Sequence, residues 1–335
     1  MADVHRSILV REGLRPFFLD ARGLHLIDQR RLPQEERWEL FTEVEQVAQA
    51  IETLAVRGAP AIGGAAALGM VLAARAGLDL DEADRRLRRT RPTAKNLFAA
   101  LDEVKAAWSQ APASARLEAV VDAAERHVLA DEAACAAMGR HGAELLRDGD
   151  VVITICHCGA LATCGQGTGL GVIKSARAQG KDVRVVALET RPLLQGARLT
   201  AWECLREAIP VTLITDGMSA FAIERIGVTR AIVGADRIAR DGSTANKIGT
   251  RTLATACAAA GVPFHVAAPG STFDPALATG ADIPIEERAA DEVRMARGTP
   301  LAPATVPVWN PSFDVTPPRL IASFITERGV LTPPF

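Results

Sequence analysis

The stretch DGDVVITIC, residues 148–156, decides the fold class, because the pattern of the chain changes there. After it, short runs rich in β-branched residues alternate with segments long enough to form helices. These runs are VVITI from Val151, VRVVAL from Val183, VTLIT from Val211, AIVGA from Ala231 and FHVAA from Phe264. Such alternation predicts right-handed βαβ crossovers and a parallel sheet with helices on both faces. We therefore expect an α/β protein whose residues 148–335 form a Rossmann-like, doubly wound domain.

The part of the chain before this stretch has a helical pattern. From Arg37 to about Arg147, Ala, Leu, Glu and Arg dominate, and apolar residues recur three and four positions apart. Residues 19–29 contain two short apolar runs around Arg22-Gly23, which is typical of a β-hairpin. We predict a helix-rich N-terminal domain, residues 1–147, that opens with this hairpin. Near the other end, a strand-like segment and a final helix from Pro318 to Arg328 are expected.

Composition limits the class of protein. A chain of 335 residues with 48% hydrophobic residues can bury a sizeable core and form about two domains. Its 38 basic and 40 acidic residues nearly balance, which argues against nucleic-acid or anionic membrane partners. The N-terminal segment lacks an apolar signal core, and no run approaches the roughly 20 apolar residues that span a bilayer. We expect a cytoplasmic protein that acts on a small molecule.

The six cysteines are too few for a disulfide framework in a chain of this length, so free thiols are expected. Cys156 follows a predicted strand and precedes a Gly-rich turn into a helix, where the helix dipole favours a thiolate. The alternative is a buried structural cysteine. Cys156, His157, Cys158 and Cys164 could also bind zinc, but no second pair has zinc-finger spacing, and we expect no metal. The glycines of residues 165–171 do not match the dinucleotide-binding spacing, and their backbone N–H groups are better suited to an anion.

Polar clusters follow the predicted strands. They are Cys156, Glu189 to Arg191, Asp216, Asp236 and Pro269 to Thr272. Because ligands bind at the carboxyl ends of strands in such sheets, we expect these segments to converge on one crevice. Asp236 is followed by Asn246 and Lys247, and an acid, an amide and an ammonium suit proton transfer on an anionic substrate. Asp236 could instead cap a helix or pair with Arg237.

Three further segments could bind a ligand. Arg57-Gly58-Ala59 lies between helical segments, where an arginine beside a helix start can hold a phosphate; the alternative is a tight turn with a solvated arginine. Arg91 could be a second phosphate ligand or the end of the solvated basic run 85–89. Gln195 lies in the polar segment 189–198 after a predicted strand, which indicates a ligand contact or an interface.

Nine motifs along nearly the whole chain are similar to those of the methylthioribose-1-phosphate isomerase family. They are RGAPAIG from Arg57, RPTAKNL from Arg91, CHCGALATCGQGTGLGVI from Cys156, ETRPLLQGARLTAWE from Glu189, ITDGMSA from Ile214, GADRIARDGSTANKIGT from Gly234, VAAPGSTFD from Val266, IPIEER from Ile283 and NPSFDVTPPRLIASFITERGV from Asn310. This family is related to regulatory subunits of translation initiation factor 2B and to ribose-1,5-bisphosphate isomerases. The resemblance implies a homodimer that needs neither a metal nor a nucleotide cofactor. It also implies Cys156 and Asp236 as the catalytic pair, with the substrate and its phosphate bound by Arg57, Gly58, Ala59, Arg91, Gln195, Asn246 and Lys247.

The reaction that the resemblance implies is the conversion of 5-methylthioribose 1-phosphate to the ribulose 1-phosphate in methionine salvage. The anomeric phosphate prevents spontaneous ring opening, so the enzyme must open the ring. Asp236, kept protonated by an apolar setting, would protonate the ring oxygen. Cys156 would then act as the base of an enediol route or assist a hydride shift.

Two alternatives to this function remain open. One is an isomerase of another 1-phosphopentose, such as 5-deoxyribose 1-phosphate or ribose 1,5-bisphosphate. The other is a non-catalytic regulatory relative of initiation factor 2B subunits. One departure from the family is visible, because the family commonly has Cys-Asn-x-Gly where this chain has His157 after Cys156. We expect His157 to change the charge beside the thiol and the shape of the pocket.

Overall fold

The computed structural model describes Ile8, residues 13–92 and residues 94–332. These residues form two compact units: the first contains the described residues up to Ala136 and Gly159–Gly167, and the second contains Ala137–Cys158 and those from Thr168 onward. Residues 1–7, 9–12, 93 and 333–335, which the two predicted domains include, lie outside the described residues. The domain boundary between residues 147 and 148 stays a prediction, because the two compact units are defined by their contacts and not by independent folding.

The first unit begins with a small antiparallel sheet. Its strands, in the order β1-β2-β3, are β1 (Phe17–Leu19), β2 (Leu24–Ile27) and β3 (Trp38–Phe41). Strands β1 and β2 form the predicted hairpin, in which Phe17 pairs with Leu26. Strand β3 lies where a helical pattern was expected from Arg37, so that part of the prediction is wrong. Its four residues pair with β2 along their whole length, and these backbone hydrogen bonds outweigh a weak local helical preference.

Helices make up the rest of the first unit. They are α1 (Val44–Glu52), α2 (Ala59–Arg75), α3 (Leu80–Arg88), α4 (Lys95–Gln110) and α5 (Arg116–Ala143), the last of which continues into the second unit. Helix α2 is apolar on all sides and packs against α1, α3 and α4, as expected of a helix at the centre of a core. Close packing needs glycine here, because a Cβ at Gly63 would lie 2.9 Å from the carbonyl oxygen of Asn96. This packing places Gly63 of α2 against the first turn of α4.

The second unit contains the remaining strands and helices. The strands are β4 (Val151–Thr154), β5 (Arg184–Leu188), β6 (Val211–Ile214), β7 (Arg230–Val233), β8 (Arg237–Ala239), β9 (Thr244–Lys247), β10 (Phe264–Ala267), β11 (Phe273–Asp274), β12 (Met295–Ala296), β13 (Thr299–Pro300), β14 (Phe313–Thr316), β15 (Ser323–Thr326) and β16 (Gly329–Leu331). The helices are α6 (Gly169–Ala178), α7 (Ala201–Arg206), α8 (Ser219–Ile226), α9 (Thr250–Ala259) and α10 (Asp291–Arg294). None of the helices in the described part of the chain combines the length and apolar character needed to cross a bilayer.

Seven strands form the main sheet, in the order β16-β15-β10-β7-β4-β5-β6. All neighbouring strands are parallel except β15 and β16. The chain runs outward from β4 through β5 to β6, then returns to β7 on the other side of β4 and continues to β10 and β15. This is the strand order of a Rossmann-like sheet, and the order reverses between β4 and β7. The predicted fold class is confirmed, and each of the five predicted runs overlaps a strand of this sheet.

A second sheet of four strands, in the order β11-β8-β9-β14, combines β8 and β9, which follow β7, with β11 and β14 from later in the chain. The predicted strand-like segment before the end of the chain is β14. The predicted final helix from Pro318 to Arg328 is wrong: residues Pro318–Leu320 form one short 3-10 turn, and β15 and β16 follow. The run SFIT of β15 is buried on both faces, and periodicity alone cannot distinguish so short a buried run from part of a helix.

Candidate active site

Cys156 and Asp236 follow the two strands between which the strand order reverses. Strands β4 and β7 are parallel neighbours, with Ile153 opposite Ala231. Cys156 comes shortly after β4 and Asp236 shortly after β7, so both leave the sheet at its carboxyl edge. This is the position at which ligands bind in doubly wound sheets.

The main chain of Cys156 is held in an unusual conformation by two threonines. Its φ of +66° is left-handed, which costs a non-glycine residue about 1–2 kcal/mol. The Cys156 N–H donates to Thr190 Oγ1 at 2.9 Å, and Thr200 Oγ1 donates to the Cys156 carbonyl oxygen at 2.6 Å. Cys156 is 9% exposed, whereas both threonines are fully buried. The two hydroxyl groups thus hold both sides of the residue that bears the thiol.

Thr190 is in turn fixed by the half-buried Asp216. One carboxylate oxygen of Asp216 accepts from the Thr190 N–H at 2.9 Å, and the other accepts from the Arg191 N–H at 2.7 Å. Thr190 itself has a left-handed φ of +67°, which is rare for a β-branched residue. Left-handed backbone at two hydrogen-bonded positions indicates a loop held in place by its surroundings, as is common at functional sites.

Gln195 offers a buried acceptor in the same loop. Its side chain is 5% exposed, and its Oε1 has no hydrogen-bond partner among the described residues. A buried acceptor without a partner is unusual in a folded protein and calls for an explanation. A hydroxyl group of a bound sugar would supply the missing donor.

Asp236 lies next to Asn246 across a pair of short strands. The Asp236 N–H donates to the Ala245 carbonyl oxygen at 2.9 Å, and the ladder of β8 and β9 pairs Arg237 with Ala245. Asp236 is exposed, so the apolar setting expected for its carboxyl group is not provided by burial in this chain. Asn246 is buried, and its Nδ2 donates to Thr250 Oγ1 at 3.0 Å.

Lys247 completes this part of the site. Its side chain is 7% exposed, and its Nζ lies 4.9 Å from the centroid of the Phe313 ring, an arrangement typical of a cation–π contact. Strand β9, which bears both Asn246 and Lys247, is held between β8 and β14. An amide and an ammonium group are therefore carried by a supported strand beside Asp236.

The other cysteines have the properties of core residues. Burial raises the pKa of Cys158 to about 11 and that of Cys204 and Cys257 to about 12. Burial also raises the pKa of Cys135 and Cys164 well above the ordinary range. All six cysteines are free thiols. Within the described ranges, no group of three or more His, Cys, Asp or Glu side chains is arranged to hold a metal ion.

In the first unit, Arg57-Gly58-Ala59 forms the start of helix α2. Gly58 caps the helix with a φ of +95°, and a Cβ there would lie 2.6 Å from the Cα of Ala162. Only glycine fits this conformation and this contact. The N–H groups of a first helical turn have no partners within the helix, and together with the half-buried Arg57 they are suited to bind an anion.

Arg91 lies in the turn between α3 and α4 and is half-buried. Its carbonyl oxygen accepts from the Ala94 N–H at 3.0 Å, just before α4 begins. Because α2 and α4 pack together at Gly63, Arg91 and Arg57 are carried by neighbouring elements of the first unit. This arrangement is compatible with two phosphate-binding arginines.

The second unit contains five of the nine candidate residues, namely Cys156, Gln195, Asp236, Asn246 and Lys247. The other four, Arg57, Gly58, Ala59 and Arg91, belong to the first unit. The sequence did not single out Thr190 and Thr200, which hold Cys156. Both lie in the motif that begins at Glu189. Their role could not be predicted, because the sequence does not show that the backbone of Cys156 is left-handed.

Comparison with known proteins places this chain among relatives of similar length. Residues 55–333 match the Initiation factor 2 subunit family. A methylthioribose-1-phosphate isomerase of Anaeromyxobacter sp. (strain K) is 52% identical over 334 residues, which cover 97% of this chain and 96% of the relative.

Two solved structures have the same fold along nearly the whole chain. The 5-methylthioribose 1-phosphate isomerase of Pyrococcus horikoshii OT3 is 41% identical with a TM-score of 0.91, and the alignment covers 97% of this chain and 94% of that one. A structure from A. fulgidus, described as translation initiation factor eIF-2B, subunit delta, is 45% identical with a TM-score of 0.87, covering 96% of this chain and 97% of that one. The chain therefore belongs to the methylthioribose-1-phosphate isomerase family and, with it, to the initiation factor 2 subunit family.

Proposed function

We propose that this protein is an aldose–ketose isomerase that converts 5-methylthioribose 1-phosphate to 5-methylthioribulose 1-phosphate in methionine salvage. The observation that carries the proposal is the position of Cys156 and Asp236 after β4 and β7, where the strand order reverses. Relatives about half identical to this chain bear the name of that activity. Arg57, Gly58, Ala59, Arg91, Gln195, Asn246 and Lys247 are proposed to bind the substrate and its phosphate.

The proposed reaction is an internal transfer of hydrogen and needs no outside oxidant or reductant. Asp236 donates a proton to the ring oxygen, and the bond between that oxygen and C1 breaks. The hydrogen on C2 then moves to C1, and the C2 hydroxyl group loses its proton as it becomes a carbonyl group. In the enediol route, Cys156 thiolate removes the C2 proton; in the hydride route, Cys156 stabilises the transition state.

Asp236 must be protonated when the ring opens, although its side chain is exposed in this chain. We infer that the bound substrate covers the carboxyl group and excludes water from it, because desolvation favours the neutral form of an acid. Phosphate binding by the arginines and Lys247 would supply the binding energy for this, at a distance from C1 and C2.

The proposal is tested by comparing the turnover of ribose 1-phosphates that differ only at C5. We expect the highest kcat/KM for the 5-methylthio compound. A higher value for ribose 1,5-bisphosphate or 5-deoxyribose 1-phosphate would reassign the substrate. The absence of turnover with every compound, in a protein that still binds them, would favour the alternative of a non-catalytic relative of initiation factor 2B subunits, the name that the A. fulgidus structure bears.

A homodimer and a cytoplasmic location are further parts of the proposal. Five large apolar side chains are exposed on and around α7, β6 and α8: Leu205, Leu213, Met218, Phe221 and Ile226. Leu205 and Phe221 are 72% and 67% exposed, and burying such side chains against a second copy of the chain would be favourable. Six free thiols fit a reducing compartment. Light scattering on the purified chain tests the dimer, and a monomer at micromolar concentration would contradict it.

A further inference from the structure

A buried network of charged side chains lies directly behind Cys156. Glu203 on α7 is fully buried; its Oε1 lies 2.9 Å from Lys174 Nζ on α6, and its Oε2 lies 3.1 Å from His157 Nε2. Lys174 also lies 3.3 Å from Glu207. Burial opposes ionisation of Glu203, but the pKa of this carboxyl group is lowered, and the charge of Lys174 is the largest cause of the lowering. Glu203 is therefore ionised and can only accept hydrogen bonds.

The hydrogen bonds of Thr200 determine the protonation of His157. The Cys156 carbonyl oxygen has no proton to give, so the contact of 2.6 Å uses the only hydrogen of the Thr200 hydroxyl group. His157 Nδ1 lies 3.1 Å from the same hydroxyl oxygen, which can now only accept. Nδ1 must then carry a hydrogen.

The second ring nitrogen lies close to a negative charge. Nε2 of His157 is 3.1 Å from Oε2 of the ionised Glu203, in a contact that is not aligned as a hydrogen bond. At this distance the lone pair of a bare nitrogen is repelled by the carboxylate, whereas a ring with a hydrogen on both nitrogens is positively charged and is attracted to it. His157 is therefore in the imidazolium form.

We propose that His157 is held permanently as an imidazolium and acts, through Thr200, as a positioning residue for Cys156. The ring N–H at Nδ1 occupies the lone pair of the Thr200 hydroxyl group and directs its hydrogen to the Cys156 carbonyl group. A neutral ring protonated only at Nε2 would accept from Thr200 instead and would release that carbonyl group. The left-handed backbone of Cys156 would then lose one of its two holding contacts. The catalytic consequence of this inference rests on the function proposed above.

The charged and titratable groups around His157 support a fixed protonation state. Besides Glu203, Lys174 and Glu207, these are the thiols of Cys158 and Cys204, whose pKa values burial raises to about 11 and about 12. Both thiols are thus neutral at physiological pH, and Glu203 is the carboxylate in contact with the ring. The charges of Lys174 and Glu207 offset each other nearby. Glu203 therefore remains the negative charge that balances the ring over the whole physiological pH range.

The protonation state can be observed by NMR on the full chain with 15N-labelled histidine, with the His157→Asn variant identifying the signals. We expect both ring nitrogens of His157 to remain protonated from about pH 5 to 8, the range in which an ordinary histidine loses its proton. Loss of one ring proton in this range would overturn the proposal. This measurement does not require catalytic activity.

The positioning role is tested by two substitutions at Thr200. Thr200→Val keeps the shape and removes the hydroxyl group, whereas Thr200→Ser keeps the hydroxyl group. We expect Thr200→Val to lower kcat by about tenfold or more, the effect of losing a buried hydrogen bond, with KM changed less than about threefold. Thr200→Ser should restore kcat to within about threefold of the wild type. Equal kcat in the two variants, or an effect of Thr200→Val on KM alone, would overturn the role.

These measurements also separate this inference from the proposed function. If the wild-type chain shows no isomerase activity but His157 keeps both ring protons, the proposed function fails and the buried imidazolium stands. Alkylation of Cys156 then replaces kcat as the readout. Thr200→Val should change its rate and Thr200→Ser should not, and identical rates would overturn the positioning role.

Discussion

Gly196 is the position at which the loop that holds Cys156 is most sensitive to one added methyl group. It is buried and begins the π-helical turn Gly196–Thr200. A Cβ at Gly196 would lie 2.8 Å from the carbonyl carbon of Leu188, closer still to its oxygen, and 2.9 Å from Thr190 Oγ1. Leu188 is the last residue of β5, so the obstacle is sheet backbone that cannot rotate away. In Gly196→Ala the loop itself must move.

The size of the effect follows from these contacts. Overpacking a buried site costs about 1–3 kcal/mol, and we expect the upper end of this range because the clash is with backbone. Movement of Thr190 also weakens its hydrogen bond with the Cys156 N–H, whose net contribution is about 1 kcal/mol. The variant should therefore be about 3 to 4 kcal/mol less stable and should have a kcat at least about tenfold lower.

Gly217→Ala is the matched control. Gly217 follows Asp216 on a neighbouring turn, and nothing lies within 4 Å of an added Cβ there. Its free energy of unfolding should stay within about 0.5 kcal/mol of the wild type. Urea unfolding measures both stabilities, and a sugar phosphate isomerase assay measures kcat. Equal stability and equal activity of Gly196→Ala and Gly217→Ala would refute the reasoning.

Three further predictions concern other parts of the molecule. Gly58→Ala should weaken phosphate binding by about tenfold, because its Cβ would strike the backbone of Ala162. Gly77 also has a left-handed φ but no such clash, so Gly77→Ala should lower the stability of the protein without weakening phosphate binding. Calorimetric titration with inorganic phosphate compares the two variants. Burial lowers the pKa of His265 from 6.5 to about 4. As the pH falls, this side chain therefore gains its proton at a higher pH in the unfolded chain than in the folded protein. The free energy of unfolding should drop by about 3 kcal/mol between pH 6.5 and about pH 4. His265→Asn should remove this part of the pH dependence of urea unfolding, and an unchanged slope would contradict it. A small alkylating reagent should modify Cys156 well before the other five cysteines, because burial keeps their thiols protonated. Mass spectrometry identifies the modified residue, and modification of another cysteine before Cys156 would contradict this prediction.

The sequence predicted five of the seven strands of the main sheet, because each of these five is a short β-branched run that stands out from its surroundings. Strand β3 and the end of the chain were predicted as helix, because Trp38–Phe41 and Ser323–Thr326 are too short for periodicity to decide. Pairing with neighbouring strands settles their conformation, and that information is not local. The fold class could therefore be predicted, but the elements at its edges could not.

The candidate residues were identified from motifs, but the way in which Cys156 is held could not be predicted. Thr190 and Thr200 are fully buried and lie more than thirty residues beyond Cys156 in the chain. Their hydroxyl groups could have served many purposes, and only the folded loop brings them to the two sides of one residue. The same holds for His157, which was expected to affect the pocket beside the thiol. Its ring is instead enclosed by Glu203 and Thr200.

The central claim is that Cys156 and Asp236 isomerise a 1-phosphorylated pentose. The most direct test is to incubate 5-methylthioribose 1-phosphate, labelled with 13C at C1 and C2, with the wild-type chain, Cys156→Ser and Asp236→Asn, and to follow both carbons by NMR. The account predicts that the wild type turns C2 into a ketone carbon. Both variants should still bind the compound but react about 10² to 10⁴ times more slowly, the usual contribution of a general acid or base. An unchanged substrate with the wild-type chain, or reaction of either variant at the wild-type rate, would contradict the claim.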